Sequence, residues 1–442
     1  PEGGPARALT DWGIRGCGVL KQDAPLLADL AAQDGLYSLT TRPSDGNRRT
    51  RVIGSILAVR DGNADPEGAL DWMTDPSTRI VSLTITEGGY HLDPSTGRYD
   101  PTSRAAEDDA RRETPSSAFG LIAEALRRRR DAGVEPFTVL SCDNLRENGE
   151  TARGTVLGFA AARDRALADW IGENVAFPNC MVDRITPVPT EADRLWIAER
   201  HQLDDRCPVS CEPFTQWVLE DRFPAGRPPL EQVGALFVDD VRPYEDMKMR
   251  LLNASHQVLS YMGVLAGLTY FHEACGHPVF GALLPRYYER EAIPTLAPVP
   301  GVNLGEYCAT LLERFTNTEM ADTLARQCVD TSERVPKFVL PAARDNLRAG
   351  RPVGIAALAV ASWARYLLGS DELGREIRVV DRRADELATA VRADPLELSV
   401  FLALDLFREV DRAPFRDAVV RANRSLAADG AEATAARCLG GT

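Results

Sequence analysis

The feature that most limits the fold is a change in hydrophobic period near Val241. Before it, short apolar runs alternate with longer stretches of helical spacing. Ile14 to Val19, Arg51 to Val59, Ile80 to Thr86 and Phe137 to Cys142 read as strands. Ala118 to Arg130, with Leu121, Ile122, Ala125 and Leu126 on one face, and Thr151 to Glu173 read as helices. That alternation predicts an α/β doubly wound, Rossmann-like domain. The stretch from Pro187 to Val241 is rich in proline and charge and is expected to wrap the sheet. From Tyr244 onward the spacing is almost wholly helical, over Met247 to Leu268, Leu304 to Asn317, Leu340 to Ala349, Val353 to Leu368, Asp381 to Arg392 and Leu396 to Phe407. The expected layout is an α/β domain over 1–241 followed by an all-α domain over 242–442.

Composition narrows the class of partner. With 442 residues the chain has room for two or three cored domains. A net charge of −14 argues against nucleic acid or an anionic membrane as main partner, while leaving room for a local basic pocket. The nine cysteines form no framework, and Cys207 and Cys211 lack the companions that a zinc knuckle needs. They read as free thiols in a reducing compartment. No run is long and apolar enough for a membrane span, and no secretory leader is visible, so the expected location is the cytoplasm. Four arginines, Arg127 to Arg130, close the first long helix and read as a solvated end that suits the helix dipole.

The chemistry concentrates in Met247-Lys248-Met249-Arg250-Leu251-Leu252-Asn253-Ala254-Ser255-His256. At about 100° per residue, Asn253 lies roughly 140° and His256 roughly 80° around from Lys248. All three can look into one wide helical face. An amine, an amide and an imidazole together suit a carbonyl or alcohol carbon, where one group moves a proton and two hold an oxygen. Glu245, three residues before Lys248, is either a proton relay or an ordinary helical charge partner. Asn144 follows a buried-looking strand, where α/β sheets place their sites, although an Asx-turn would also put an asparagine there. Asp23 follows the first visible strand at a position suited to an adenosine ribose, which favours NAD; Lys21 beside it would tolerate NADP. Glu87-Gly88-Gly89 ends another strand and allows close approach of a cofactor. His272, Glu273 and His277 have HExxxH spacing, which does not place both imidazoles on one helical face for a metal. No metal is expected.

This helix resembles the signature helix of the polyol-specific long-chain dehydrogenases, the mannitol dehydrogenase and fructuronate reductase family. Further family-like strings occur in the same order: Ser82-Leu83-Thr84-Ile85-Thr86-Glu87-Gly88-Gly89-Tyr90, Ser141-Cys142-Asp143-Asn144, and Phe177-Pro178-Asn179-Cys180-Met181-Val182-Asp183-Arg184. Cys211-Glu212-Pro213-Phe214 precedes the helix, and Val335-Pro336-Lys337-Phe338 follows it. The resemblance runs from about Trp12 to near the C-terminus. It implies NAD-dependent, zinc-independent interconversion of a hexitol such as mannitol and its 2-ketose. Lys248 would be the general base, Asn253 and Asn144 the oxygen-holding amides, and His256 a partner for a substrate hydroxyl. By resemblance Asp183 and Arg326 would bind further hydroxyls, with Lys337 at the same mouth.

Two alternatives stay open. A hexuronate reductase would need a cation for the sugar carboxylate, for which Arg250 or Arg326 could serve. A non-catalytic sugar-binding remnant is the other, because the resemblance implies a strand and a glycine-rich turn ahead of Asp11-Trp12-Gly13-Ile14. Here Pro1-Glu2-Gly3-Gly4-Pro5 stands close before that segment instead. Gly16-Cys17-Gly18 reads as the end of a second strand rather than as a replacement. The expectation is a preserved reaction centre with weakened NAD affinity.

Overall fold

The computed structural model describes residues 11–93 and 96–440, and the segment Pro1 to Pro5 lies outside them. The described chain divides into two compact units. One runs to Arg42 and resumes over Asn47–Arg242; the other takes Pro43–Gly46 and continues from Pro243.

The first unit is α/β. Its strands are β1 Ile14–Gly18, β2 Tyr37–Thr41, β3 Arg49–Ile53, β4 Ile56–Asp61, β5 Ile80–Leu83, β6 Thr138–Ser141, β7 Cys180–Asp183, β8 Val209–Cys211, β9 Gln216–Glu220 and β10 Leu236–Val238. They pair in four short ladders. β1 runs parallel to β4, and β5 parallel to β6. β2 lies between antiparallel β3 and parallel β8, and β9 between parallel β10 and antiparallel β7. The strand expected over Arg51 to Val59 is thus two, separated at Gly54-Ser55. The proline-rich stretch after Pro187 also holds three strands and the helix Glu191–His201, which its charge concealed.

Strand β6 shows why a parallel strand reads as a continuous apolar run. All four of its residues are buried, and side chains alternate between faces. Val139 joins a cluster built from Phe119, Ile122, Val156 and Ile171 of the covering helices. Leu140 joins a separate cluster with Cys180, Leu219 and Ala235. Beyond β6 the backbone pairing continues irregularly: Val139 N–H donates to Ala176 O at 3.0 Å. Pro178, two residues on, has no N–H with which to extend the ladder.

Two helices depart from the expected pattern for clear reasons. The stretch Thr151 to Glu173 is two helices, Asn148–Arg163 and Arg165–Asn174. Asp164 breaks it: in extended conformation its carboxylate accepts Ala166 N–H at 2.9 Å and caps the second helix. The arginine run at the end of helix Ala118–Asp131 is not a solvated end. Arg129 is 2% exposed. It donates to the carbonyls of Met73, Asp75, Thr78 and Glu135 at 2.6–2.7 Å, and lies over the Phe137 ring. Arg127 and Arg128 pair with Glu124, Asp131 and Glu67. Guanidinium geometry decides the difference, since a planar fork can satisfy several orphan carbonyls that a point charge could not.

The second unit is helical. Helix Gly354–Tyr366 is apolar on all sides, and nearly every residue is buried, as expected of a central helix. It packs against Ala254–Leu265 and the C-terminal helix Ala413–Gly440. Its alanines allow close approach. Glu291 caps its start, accepting the N–H groups of Ile355 and Ala356 at 2.7 and 2.9 Å. The helix expected over Leu396 to Phe407 is instead two short 3-10 turns, Phe401–Ala403 and Asp405–Val410. The C-terminal helix breaks at Gly430, whose φ of 81° only glycine adopts readily.

The cap at Asp164 gives a direct test of this local logic. Asp164→Ala should lower stability, read as a fall in thermal midpoint with unchanged far-UV circular dichroism.

Candidate active site

In the first unit the chemistry-bearing residues gather where parallel strands β5 and β6 end, the position at which α/β folds bind ligands. After β5 the chain turns at Thr86, whose φ of 63° and ψ of 166° are costly for a β-branched residue. Glu87–Tyr90 then forms a single 3-10 turn. Asp143, just past β6, holds this turn in place. Its carboxylate accepts Thr86 N–H at 2.8 Å, Ile85 N–H at 3.2 Å and the Tyr90 hydroxyl at 2.7 Å. Tyr90 is fully buried and also contacts Ser141 Oγ at 2.5 Å. Burial first, and then the neighbouring Asp143 carboxylate, push the phenol well above its ordinary range, so it remains a donor.

Glu87 and Gly88 are exposed, and a Cβ added at Gly88 would meet nothing within 4 Å. Among the described residues nothing fills that space. Asn144, next to Asp143, is exposed. The loop that carries it is fixed from below by Asn148, whose amide donates to Asp143 O at 3.1 Å and to Cys180 O at 2.8 Å. Asp183 closes strand β7 and is buried. Asp23 sits against the end of β1: a Cβ at Gly18 would approach its Cβ to 2.6 Å. Its Oδ2 accepts Leu20 N–H at 2.9 Å.

In the second unit the lysine helix is not a regular α-helix. Arg242–Met247 and Ala254–Leu265 are α-helical, but Lys248–Asn253 between them is a π-helix. Its hydrogen bonds run from i to i+5, so a residue five positions on stands about one turn above its partner. The angular estimate from α-helical spacing is therefore corrected. The wider turn brings Lys248 and Asn253 closer to one face than the roughly 140° of α-helical spacing, and His256 follows about one α-turn after Asn253. Lys248 and His256 are buried at 8% and 7% exposure, and Glu245 at 3%.

Among the described residues, Asn253 Oδ1 and His256 Nε2 are buried without a hydrogen-bond partner, as is Ser260 Oγ further along the helix. Each such atom ordinarily costs about 1–3 kcal/mol. The His256 ring lies 4.6 Å from the Phe271 ring and 5.0 Å from that of Phe315. Burial lowers its pKa to about 4; Asp322 opposes the shift, and Arg326, Arg334 and Arg314 reinforce it. His256 is a neutral imidazole at physiological pH.

The other expected site residues divide. Lys337 lies in a second π-helical segment, Val335–Val339, which packs against Lys248–Asn253. Arg326 is largely exposed and ion-paired to Asp322 at 2.8 Å. Arg250 is buried, donating to Thr295 O at 2.7 Å and pairing with Asp345 at 2.9 Å. Glu273 and His277 serve as caps for backbone N–H groups of Thr269, Tyr270, Val279 and Phe280. Among the described residues no group of three or more His, Cys, Asp or Glu side chains could hold a metal ion.

Sequence reasoning missed Asp143, Tyr90, Asn148 and Ser255. One signal for the lysines was available: of the 51 Lys and Arg residues, only Lys21, Lys248 and Lys337 are lysines.

A nucleotide-binding type of α/β domain followed by a helical domain is a layout of oxidoreductases. This chain matches the mannitol dehydrogenase Rossmann domain over 4–232 and the mannitol dehydrogenase C-terminal domain over 240–426, and it belongs to the mannitol dehydrogenase family. A mannitol 2-dehydrogenase of Cereibacter sphaeroides is 46% identical over 366 residues, covering 82% of this chain and 76% of that protein. A mannitol 2-dehydrogenase of Neosartorya fischeri is 40% identical over 433 residues, covering 96% and 86%. Among solved structures, Pseudomonas fluorescens mannitol 2-dehydrogenase in ternary complex with NAD and D-mannitol is 42% identical with a TM-score of 0.87, covering 98% of this chain and 89% of that one. A substrate-free D-sorbitol dehydrogenase is 38% identical with a TM-score of 0.88, covering 96% and 89%.

The state of His256 has a measurable consequence. Its folded pKa is depressed below the ordinary histidine value, so the neutral ring stabilises the fold above about pH 6.5, and this contribution is lost as pH falls toward 4. Its ring-proton resonance should hold constant from about pH 8 to about pH 5.5, while an exposed histidine titrates in that range. A midpoint near neutrality would contradict the assignment.

Proposed function

We propose that this family member is an NAD-dependent polyol dehydrogenase that oxidises a hexitol such as mannitol to its 2-ketose and runs the reverse reduction. Lys248 is the general base, and no metal takes part. The observation that carries this reading is the pair of buried, unpartnered atoms Asn253 Oδ1 and His256 Nε2, set on the same helix face as a buried lysine. A polyol supplies what both atoms lack, because each of its hydroxyls can donate and accept.

The roles follow from the chemistry of each group. Lys248 Nζ takes the proton from the hydroxyl being oxidised, a task that arginine cannot perform. The neutral amide of Asn253 donates from Nδ2 to the oxygen being oxidised without changing protonation state, while its unpartnered Oδ1 accepts from a neighbouring substrate hydroxyl, and Asn144 keeps the oxygen-holding role by resemblance. His256 accepts or donates at Nε2 to a neighbouring hydroxyl. Asp183, Arg326 and Lys337 are assigned to further hydroxyls, and Glu245 to moving the proton onward to solvent. NAD, when bound, supplies the acceptor for the hydride. Asp23, Glu87, Gly88 and Gly89 are the residues we assign to holding it. The open space at Gly88 and the close seat of Asp23 on Gly18 fit that assignment.

The hexuronate reading needs a cation free to meet a sugar carboxylate. Arg250 is buried and occupied by Asp345 and Thr295 O, which favours the neutral polyol. No helix among the described residues is long and apolar enough to cross a membrane. Nine free cysteines suit the reducing cytoplasm.

Lys248→Ala should abolish mannitol oxidation while leaving the fold intact, and a small external amine should restore part of the rate. Near-parental kcat in that variant would overturn the base assignment. Activity should also survive exhaustive chelation; a loss that added zinc reverses would mean that a metal does the work assigned to Lys248.

A further inference from the structure

The wide turn at Lys248–Asn253 has a dedicated support, traceable bond by bond. Ser255 is fully buried, and its hydroxyl donates to Leu251 O within the π-helical segment. That carbonyl also takes the Ala254 N–H, so it sits at the junction where the π-helix returns to α. Tyr288 Oη lies 2.7 Å from Ser255 Oγ. With the serine proton committed to Leu251, the tyrosine is the donor of that second bond. Tyr288 is 2% exposed, and burial above all holds its phenol protonated.

Tyr288 is itself fixed. It opens another π-helical segment, Tyr288–Ala292, which packs against Lys248–Asn253. Glu291 of that segment accepts two N–H groups at the start of helix Gly354–Tyr366, and its carbonyl accepts the Asn346 amide at 2.7 Å. Hydrogen bonds from the central helix to Glu291, the covalent chain from Glu291 back to Tyr288, and the bonds Tyr288–Ser255–Leu251 thus connect the central helix to the carbonyl inside the turn that carries Lys248.

We propose that Ser255 and Tyr288 are positioning residues that hold the π-helical turn, and with it Lys248, in register with Asn253 and His256. Neither touches substrate. Without their two bonds the segment is free to relax toward ordinary α-helical spacing, which turns Lys248 further from Asn253, toward the roughly 140° separation of an α-helix. The inference rests on the reading of Lys248 as the base.

The test compares Ser255→Ala and Tyr288→Phe with Tyr261→Phe, using NAD and mannitol with the chain as it stands. Tyr261 is equally buried and its hydroxyl also bonds on the same helix, to Gln257, but away from the π-helical turn. Ser255→Ala and Tyr288→Phe should lower kcat about ten- to a hundredfold, the scale of a small misplacement of a reacting group, with KM for NAD unchanged. Deuterium on the carbon being oxidised should then slow turnover more than in the parent, because the chemical step has become limiting. Tyr261→Phe should lose thermal stability to a similar extent while keeping kcat. If Tyr288→Phe and Ser255→Ala match Tyr261→Phe in kcat and isotope effect, the positioning role is wrong and the bonds serve stability alone; should Ser255→Ala fail to fold, Tyr288→Phe decides. An active Lys248→Ala would bring down the base assignment itself. An inactive Lys248→Ala beside fully active Tyr288→Phe would sink only the present inference.

Discussion

One departure from regular helical geometry governs the candidate chemistry: the five-residue hydrogen-bond reach of Lys248–Asn253. An α-helix leaves residues five apart roughly 140° around from each other, and the wider turn of a π-helix brings them closer to one face. The geometry is intrinsically less favourable than an α-helix, so it needs help from its surroundings. Two neighbouring segments, Tyr288–Ala292 and Val335–Val339, are π-helical as well, and both pack against the first. Proline accounts for part of this. Pro285 lies in the helix leading into one segment and Pro336 lies within the other, and each lacks the N–H that an α-ladder requires. Three irregular turns thus support one another around the buried lysine.

The choice of cation fits the same constraint. This chain uses arginine almost everywhere a positive charge is wanted, as at Arg129, where a planar fork satisfies four carbonyls. Lysine is kept for three positions, and two of them, Lys248 and Lys337, lie in π-helical segments that pack together. Arginine stays charged under all working conditions, whereas lysine can release and take up a proton. A rule of composition and a rule of geometry therefore converge on the same residue.

Much of this was legible in the chain, and the losses have physical causes. The period change near Val241 marked the α/β and helical portions because burial imposes different spacings on strands and helices. The buried run of β6 was visible for the same reason. Helix breaks at Asp164 and within Met247 to Leu268 were not visible, since both stretches keep helical spacing and only a cap or a widened turn interrupts them. Arg129 was misread because a buried guanidinium and a solvated one look alike in sequence. Lys248, Asn253 and His256 stood out as polar groups on an apolar helix. Asp143, Tyr90 and Ser255 did not, because their work is to bond backbone groups that are distant in sequence.

The buried face of the lysine helix also shows how one polar group conditions another. His256 lies among Phe271 and Phe315, with Arg314, Arg326 and Arg334 in its field, and all of these disfavour an imidazolium. A neutral ring keeps Nε2 available for a hydroxyl. On the proposed reading of Lys248 as the base, it also means that a Lys248 ammonium meets no imidazolium two turns along its own helix. If His256 were protonated, the two cations would oppose each other in a poorly screened interior, and proton transfer to the lysine would be less favourable. If Lys248 is the base as proposed, the aromatic and arginine surroundings of His256 act on its proton transfer. This explains why an imidazole with an unsatisfied nitrogen can be kept in a hydrophobic setting that costs stability.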